Sequence, residues 1–304
     1  MGRARFAACI AVLAATWLAA QETVVGGIRL EPGPNDQVRV TRSDWAWSGG
    51  AEKHPASTFT LDSGRAVYAI RYNHRDSGGT LGISSPTRCN WYESGALSLF
   101  VDGTRYSFAS DNGLTVRTAE GVRGLVEFAW TNATAAVTCR WVMPRGADRV
   151  YVELALQPRA PAKALRLDFS AYPSGFNRGQ PAHLLRTPQR RVEAPGKHAL
   201  DPATETAVFL ADGALDPADG RGEGACALVL APGAPTSLEV RLGGYGVGVS
   251  VGLAPETRRL RFCLIEFGAR PNAEAWERLA GTLAATQASL ADEGLFAPSA
   301  GQGR

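Results

Sequence analysis

The sequence lacks the short motifs that mark several large enzyme classes. It has no G-x-S-x-G nucleophile turn, no H-E-x-x-H zinc pair and no phosphate-binding P-loop, and Gly220, Gly222 and Gly224 form no dinucleotide fingerprint. Without a C-x-x-C pair we expect no structural zinc, and we expect no other metal and no cofactor. These absences leave open enzymes whose catalytic residues are dispersed along the chain.

Long apolar runs are absent after the first twenty residues, so we expect no membrane span in the mature chain. At the start, Arg3 and Arg5 precede an apolar run over residues 6–18, and Leu18-Ala19-Ala20 supplies the small residues that a signal peptidase reads. We therefore predict a signal peptide over residues 1–20 and export to the periplasm, cell surface or medium. An uncleaved N-terminal anchor is the alternative.

Charge of one sign is not in excess, and lysine is scarce. The formal net charge of +3 falls to about +1 once Arg3 and Arg5 leave with the signal peptide. A nearly neutral protein has no general field that attracts nucleic acid or an anionic membrane, so we expect neither partner. Arginine outnumbers lysine by 29 to 3, which indicates a bacterium with a GC-rich genome.

Helix signals are sparse, whereas apolar residues recur at every second position, as they do in strands. Four runs alternate in this way: residues 126–130, 150–156, 165–169 and 260–264. Polar residues such as Glu153 lie between the apolar ones, which is typical of an antiparallel sheet with one face in water. Asp102-Gly103 predicts a type I′ hairpin turn within residues 97–108, because both residues tolerate positive φ.

The glycine-rich stretch 243–252 predicts a strand whose backbone is closely approached by another group. A helical pattern appears only after it, with Asn272 as a candidate cap. One stripe of that helix is apolar and is formed by Trp276, Leu279, Leu283 and Leu290.

These patterns together predict an all-β fold. We expect one large antiparallel β-sandwich, supersandwich-like, over residues 21–296, with a C-terminal helix at about 273–293 and a disordered tail at 297–304. Two smaller β domains divided near residues 158–161 are the alternative.

Four cysteines follow the predicted signal peptide: Cys89, Cys139, Cys226 and Cys263. In an oxidising compartment they permit two disulfides with three connectivities. Cys139 lies on the apolar side of a predicted strand and Cys226 in an apolar run, so buried thiols are the other interpretation.

The first candidate ligand site is Asn90-Trp91-Tyr92-Glu93. It lies between a turn and a hairpin strand, so we expect it at a sheet end. Aromatic rings stack on the apolar faces of sugar rings, and the adjacent amide and carboxylate can bind hydroxyls. A Trp and a Tyr that close the edge of the core are the alternative.

Two further polar clusters contain histidine, of which the chain has four. His74 and Asp76 lie where a predicted strand ends, and a histidine near a carboxylate suits acid–base chemistry. The other cluster lies in a long loop, where function is common, and comprises Tyr172, Asn177, His183 and Arg186. An ordinary turn and an ordinary connection are the alternatives.

Two other features allow both a structural and a functional interpretation. An acidic group resembles calcium ligands, but its spacing does not match an EF-hand, so we favour a solvated turn. Its members are Asp212, Asp216, Asp219 and Glu223. Trp45 and Trp47 share a strand face, either in the core or as a stacking platform, and we favour the core.

Residues 167–176, 222–228 and 260–267, followed by Pro271-Asn272-Ala273-Glu274, resemble a group of secreted proteins from planctomycete-like bacteria. That resemblance implies a shared fold and no particular activity. The strand-rich length of the chain also resembles the supersandwich of galactose-mutarotase-like domains, which bind or process carbohydrate with a catalytic His and Glu. Neither of those two residues has a counterpart that can be placed in this sequence.

Three functional hypotheses follow. The first is an exported β-sandwich that binds carbohydrate without catalysis, supported by the aromatic clusters at predicted strand ends. The second is a sugar-active enzyme, namely a mutarotase-like epimerase, a lyase or a hydrolase, which needs an acid and a base in one cleft. The third is an envelope scaffold that contacts other proteins through an exposed apolar patch. The sequence does not specify a substrate or an oligomeric state.

Overall fold

The computed structural model describes residues 23–25, 28–30, 37–48, 53–75, 79–87, 90–92, 95–175 and 182–297. Several predicted features lie outside these ranges: the signal peptide, Asp76, Cys89, Glu93, Asn177 and residues 298–304 of the tail.

The chain forms an antiparallel β-sandwich with a C-terminal helix, as predicted. Its first strands are β1 (Thr23–Val25), β2 (Ile28–Leu30), β3 (Arg39–Ser48), β4 (Lys53–Asp62), β5 (Val67–Asn73), β6 (Thr80–Ser85), β7 (Leu97–Val101), β8 (Thr104–Arg105), β9 (Thr115–Ala119), β10 (Arg123–Thr131), β11 (Ala135–Pro144) and β12 (Arg149–Pro158). The later strands are β13 (Leu165–Ala171), β14 (His183–Arg186), β15 (Arg191–Val192), β16 (Gly196–Leu200), β17 (Ala207–Asp212), β18 (Cys226–Leu230), β19 (Pro235–Leu242), β20 (Val247–Leu253) and β21 (Arg259–Glu266). The helices are α1 (Asn272–Ala291) and α2 (Glu293–Phe296).

Two large sheets make up the sandwich. One has nine strands in the order β15-β14-β17-β18-β21-β12-β11-β10-β9. The other has ten strands in the order β16-β19-β20-β13-β7-β6-β5-β4-β3 with β8 beside β7. Strands from both sides of residues 158–161 enter both sheets. None of the helices in the described part of the chain has the length and apolar character needed to cross a membrane.

The main core lies between the two sheets and follows the predicted alternation. Val126, Phe128 and Trp130 of β10 are all buried there. Phe59 of the ten-stranded sheet meets Phe128 edge-on, with ring centroids 5.1 Å apart. Aromatic rings bury a large area and prefer edge-to-face contacts. Pairs between the two sheets therefore favour one arrangement of the sheets against each other.

The outer face of the nine-stranded sheet is covered at its centre, where the alternation of β12 predicts water. Tyr151 and Glu153 of β12 are buried on that face, where α1 and α2 pack over a second apolar cluster. Trp276 and Leu279 of α1 belong to that cluster. The alternation of β12 therefore separates two buried environments.

Glu153 is a charged residue that the helices bury on the outer face of the nine-stranded sheet. Its Oε1 accepts a hydrogen bond from Arg140 at 2.8 Å, and its Oε2 accepts one from Arg261 at 2.8 Å. A buried carboxylate needs such partners, because its lost hydration is restored only by opposite charge and hydrogen bonds. The pairs cross from β11 to β12 and from β12 to β21, so they also hold the register of three strands.

The N-terminus of α1 is capped differently from the prediction. The side chain of Asn272 does not cap the helix and instead reaches the carbonyl oxygen of Asp212. The Asp216 carboxylate, from a distant turn, accepts a hydrogen bond from the backbone N–H of Asn272 at 3.1 Å. A carboxylate is favourable there because helix N-termini carry partial positive charge.

Three local predictions also have clear outcomes. Asp102 and Gly103 have φ of 51° and 78°, which confirms the hairpin turn between β7 and β8. Cys139, Cys226 and Cys263 are buried thiols, so these three form no disulfide with one another. The predicted core position of Trp45 is wrong, because 37% of it is exposed and the Arg71 guanidinium lies 4.2 Å from its ring centroid.

Replacing Glu153 with Gln should lower the free energy of unfolding by about 3 kcal/mol, because two arginines lose the buried charge between them. The matched control is Glu193→Gln, which breaks an exposed pair with Arg191 and should cost less than about 1 kcal/mol. Urea denaturation followed by tryptophan fluorescence measures both. Equal losses in the two variants would contradict the assigned role of Glu153.

Candidate functional site

The open face of the ten-stranded sheet contains a continuous groove. It consists of two adjoining depressions of about 670 and 620 Å³, which share lining residues on β13, β16, β19 and β20. The shared residues are Ser170, Lys197, Gly248 and Arg241. The groove crosses five strands from β7 to β16, a width of roughly 19 Å at the usual spacing between strands.

The floor of the groove has almost no side chains. Gly248, Ser250 and Gly252 are the outward-facing residues of β20, because the valines between them point into the core. A Cβ atom added at Gly248 would meet only the Arg241 guanidinium, at 3.9 Å. The backbone of β20 is therefore open at Gly248, whereas a Cβ atom at Gly252 would collide with Ser237 Oγ. The predicted close approach to the glycine-rich stretch is found at Gly252 and at Gly246, where the Tyr172 ring would lie 2.8 Å from an added Cβ atom.

Charged side chains from both neighbouring strands border this floor. Asp168 of β13 and Glu239 of β19 both pair in register with Ser250, so the two carboxylates flank it with Cα atoms roughly 10 Å apart. Asp168 is paired with Arg166, with Nε 3.0 Å from Oδ1. Glu239 is paired with Lys197, with Nζ 3.3 Å from Oε1. Hydrogen-bond donors and acceptors therefore alternate along the groove.

Aromatic rings form both ends of the groove. At one end Tyr172 contacts Tyr92 and Tyr245 edge-on, with centroids 5.1 and 4.7 Å away. Tyr245 is 64% exposed, so much of it faces solvent. At the other end the Arg166 guanidinium lies 4.1 Å from the centroid of Phe100.

Two of the three described residues of the segment predicted as the first ligand site are structural. Asn90 and Trp91 are fully buried, and Trp91 packs against Phe169 in the core. Asn90 donates from Nδ2 to Glu266 Oε2 at 2.7 Å and accepts at Oδ1 from the Ser174 N–H at 2.7 Å. Their proposed ligand-binding role is therefore not supported, whereas Tyr92 does line the groove.

His74 directly follows the last residue of β5 and does not line the groove. Its Nε2 is 2.8 Å from Ser57 Oγ, which donates to Asp44 Oδ1 at 2.6 Å. Burial lowers the pKa of His74, Arg42 lowers it further, and Asp44 opposes them. Ser57 is 1% exposed, so this chain of hydrogen bonds offers no accessible nucleophile.

The loop cluster is divided by the fold. Tyr172 lines the groove, but the Arg186 guanidinium lies 4.2 Å from the ring centroid of Trp276 on the helical side. His183 is buried with its Nδ1 3.7 Å from Asp212 Oδ2. Burial lowers the pKa of His183, and Asp212 acts in the opposite direction. This pair has acid–base spacing but does not line the groove.

The acidic residues of 212–223 serve turns. Asp212 and Asp216 cap two short 3-10 helices, Gly213–Leu215 and Pro217–Asp219. Asp212 is buried, which corrects the fully solvated turn of the prediction. Among the described residues, no three His, Cys, Asp or Glu side chains are grouped as metal ligands would be.

Sequence reasoning missed most of the residues that border the groove. They are Phe100, Arg166, Asp168, Lys197, Glu239 and Arg241. The alternation of residues 165–169 predicts a polar strand face that contains Arg166 and Asp168, and residues 243–252 predict a glycine-rich strand. The sequence does not show that this polar face and the glycine-rich strand lie side by side, because that depends on the pairing of β13 with β20.

No family model and no curated protein matches the chain, so the planctomycete resemblance gains no support. Similar solved structures include an α-N-acetylgalactosaminidase of Bifidobacterium bifidum, with TM-score 0.45 and 13% identity over 71% of this chain and 36% of that one. A protein assigned as an aldose 1-epimerase from Klebsiella pneumoniae has TM-score 0.45 and 9% identity over 82% of this chain and 96% of that one. The α-galactosidase AgaB of Geobacillus stearothermophilus has TM-score 0.39 and 10% identity over 69% and 40% of the two chains.

The chain spans about a third of the first of these proteins and nearly all of the second. A second protein assigned as an aldose 1-epimerase, from Escherichia coli K12, has TM-score 0.33 and 9% identity over 74% of this chain and 99% of that one. Since these TM-scores lie below 0.5, they carry no information about the activity of this chain.

Replacing Gly248 with Val should preserve the fold or stabilise it by about 0.5 kcal/mol, because glycine weakens a strand interior and the added Cβ atom makes only an ordinary contact with the Arg241 guanidinium. Gly246→Ala is the matched comparison. Its Cβ would lie 2.8 Å from the Tyr172 ring and 2.9 Å from the Ala171 oxygen, so it should lower the melting temperature. Thermal unfolding checks both variants, and destabilisation by Gly248→Val would contradict an open floor.

Proposed function

We propose that the protein binds carbohydrate, without catalysis, in the groove on the ten-stranded sheet. The observation that carries this proposal is a floor of Gly248, Ser250 and Gly252 bordered by charged side chains and closed by tyrosines. Export from a bacterial cell is part of the proposal, supported by the signal-peptide pattern of residues 1–20. The expected ligand is a glycan of the cell's surroundings or envelope.

The chemistry of the groove suits a sugar chain. Sugar hydroxyls both donate and accept, and Asp168 and Glu239 accept while Arg166, Lys197 and Arg241 donate. The apolar faces of sugar rings pack against aromatic rings, a contact that the exposed Tyr245 can supply. An open groove that crosses five strands favours a chain of several sugar units over one enclosed monosaccharide.

Affinity electrophoresis against a panel of soluble polysaccharides, followed by a glycan array, tests this proposal. Gly248→Val should abolish retention because its side chain fills the floor, and Tyr245→Ala should weaken binding about tenfold by removing a stacking surface. Trp45→Ala is the control, because Trp45 is exposed on β3, at the far edge of the same sheet. Its affinity should equal that of the wild type.

Two results would refute binding in the groove. One is that the wild type is retained by no polysaccharide. The other is that Trp45→Ala loses binding while Gly248→Val keeps it, which would move the stacking platform to β3. Trp91→Ala is not an informative variant, because Trp91 lies in the core and its truncation would unfold the protein.

A sugar-active enzyme is the second candidate, supported by the two carboxylates that flank Ser250. Both are paired with a basic side chain, and the buried His183 and Asp212 do not line the groove. We expect no release of reducing ends and no accelerated mutarotation by the purified protein. Turnover that disappears in Asp168→Asn or Glu239→Gln would replace the binding proposal with the enzymatic one.

The scaffold hypothesis receives less support. Among the described residues, the large exposed apolar side chains are Trp45, Val122 and Tyr245, which lie on separate elements. They form no continuous patch of the size that marks protein interfaces.

A further inference from the structure

A second, smaller cavity lies beside α1, on the side of the molecule that the groove does not reach. Its volume is about 50 Å³, enough for a few water-sized groups. The turn between β4 and β5, the end of β21 and the first half of α1 enclose it. The side chains of interest in its wall are Arg65, Asp148, Glu266, Arg270 and Arg278.

Glu266 is buried in the wall of this cavity, and only one of its two carboxyl oxygens is engaged. Its Oε2 accepts hydrogen bonds from Asn90 Nδ2 at 2.7 Å and from Thr87 Oγ1 at 3.0 Å. Its Oε1 is buried and has no hydrogen-bond partner within the described part of the chain. A buried polar oxygen without a partner is costly, so a ligand or water at Oε1 would relieve that cost.

The protonation of Glu266 decides what can bind at Oε1. The pKa of Glu266 is raised to about 8, mainly by burial and to a smaller extent by nearby Glu223, against the opposing hydrogen bonds from Asn90 and Thr87. The group is therefore a neutral acid at pH 7. Because Oε2 accepts two hydrogen bonds, the proton belongs on Oε1, which then acts as a donor.

The remaining wall of the cavity is positively charged. Asp148 is held ionised, since Arg149 and Arg278 overcome its burial and lower its pKa to about 2. It is shared among Arg149, Arg278 and, at 3.9 Å, Arg65.

Arg270 has only a loose partner near the cavity. Its partner is the exposed Glu274, at 3.8 Å, and its own Nε is buried without a hydrogen-bond partner in the described residues. Three arginines thus face one ionised carboxylate in the wall.

We propose that this cavity binds a small oxyanion, a carboxylate or a phosphate, between the arginine side chains and Glu266 Oε1. Arginine donates to such anions through parallel N–H groups, and the protonated Glu266 adds a further donor on the enclosed side. The proposal is independent of the groove, because it involves none of the residues that line it.

The affinity of the cavity for an anion should fall as pH rises. The titratable and charged groups near Glu266 on neighbouring elements are Tyr68, Asp148, Glu223, Cys226, Arg65, Arg270 and Arg278. When pH rises through about 8, Glu266 loses its proton and its negative charge repels the anion. The affinity should therefore fall about tenfold between pH 6.5 and pH 9, following the protonated fraction of Glu266.

Isothermal titration of the full-length protein with sodium acetate and with sodium phosphate, at ionic strength matched with sodium chloride, tests the site. The wild type should bind one of the two anions at pH 6.5. The anion that binds shows whether the cavity takes a carboxylate or a phosphate. Acetate keeps the same charge from pH 6.5 to pH 9, so it is the probe for the pH comparison. Glu266→Gln keeps a neutral donor in the cavity, so its affinity for acetate should be equal at the two pH values.

Arg270→Gln should weaken binding at least tenfold at pH 6.5, because Arg270 has the least committed side chain in the wall. Arg65→Gln is a second variant that leaves the buried pairs of Asp148 intact, since 42% of the Arg65 side chain is exposed. Arg221→Gln, on an exposed pair with Asp219, is the control and should bind like the wild type.

The proposal fails if neither anion binds the wild type at millimolar concentrations. It also fails if chloride binds as well as the oxyanions, or if both arginine variants keep full affinity. If the wild type binds the anion but no polysaccharide, the groove proposal is refuted and the cavity proposal stands. If it binds a polysaccharide but neither anion, the cavity proposal is refuted and the groove proposal stands.

Discussion

The unequal covering of the two sheets is the constraint on which the rest of this structure depends. Helices α1 and α2 lie over the nine-stranded sheet, and no described element lies over β20 and its neighbours. A sheet buried on both faces must pair any charge it contains, and Glu153 with Arg140 and Arg261 meets that condition. The open sheet has no such condition, so its polar side chains remain available to a ligand.

Asn90 connects the two halves of this arrangement. Its amide bonds the Glu266 carboxyl on one side and the backbone of Ser174 on the other, and all of these atoms are buried. Two residues later, the backbone N–H of Tyr92 bonds Ser170 of β13 and places the tyrosine ring in the groove. A short segment therefore supports both the small cavity and one rim of the groove, through hydrogen bonds that burial makes costly to break.

Much of the fold could be predicted because its signals are local. The spacing of Val126, Phe128 and Trp130 predicts the inner face of β10. Asp102-Gly103 predicts a turn because both residues tolerate positive φ. The candidate site was less accessible. The sequence makes Trp91 a candidate stacking residue, but it lies in the core, whereas Tyr92 beside it reaches the groove. Both residues lie in a turn, so no regular alternation shows which of the two side chains points inward.

By itself the sequence determined the strands, the turns, the late helix and the inner faces of the sheets, since each follows from the residue types within a few positions. Only the tertiary structure decided which outer face the helix covers and which distant residues meet. Asp168 and Glu239 flank Ser250 because β13, β20 and β19 are neighbours, and Arg65 and Glu266 line the same cavity although they are far apart in the sequence. Strand order is set by the packing of the whole core, and no local pattern encodes it.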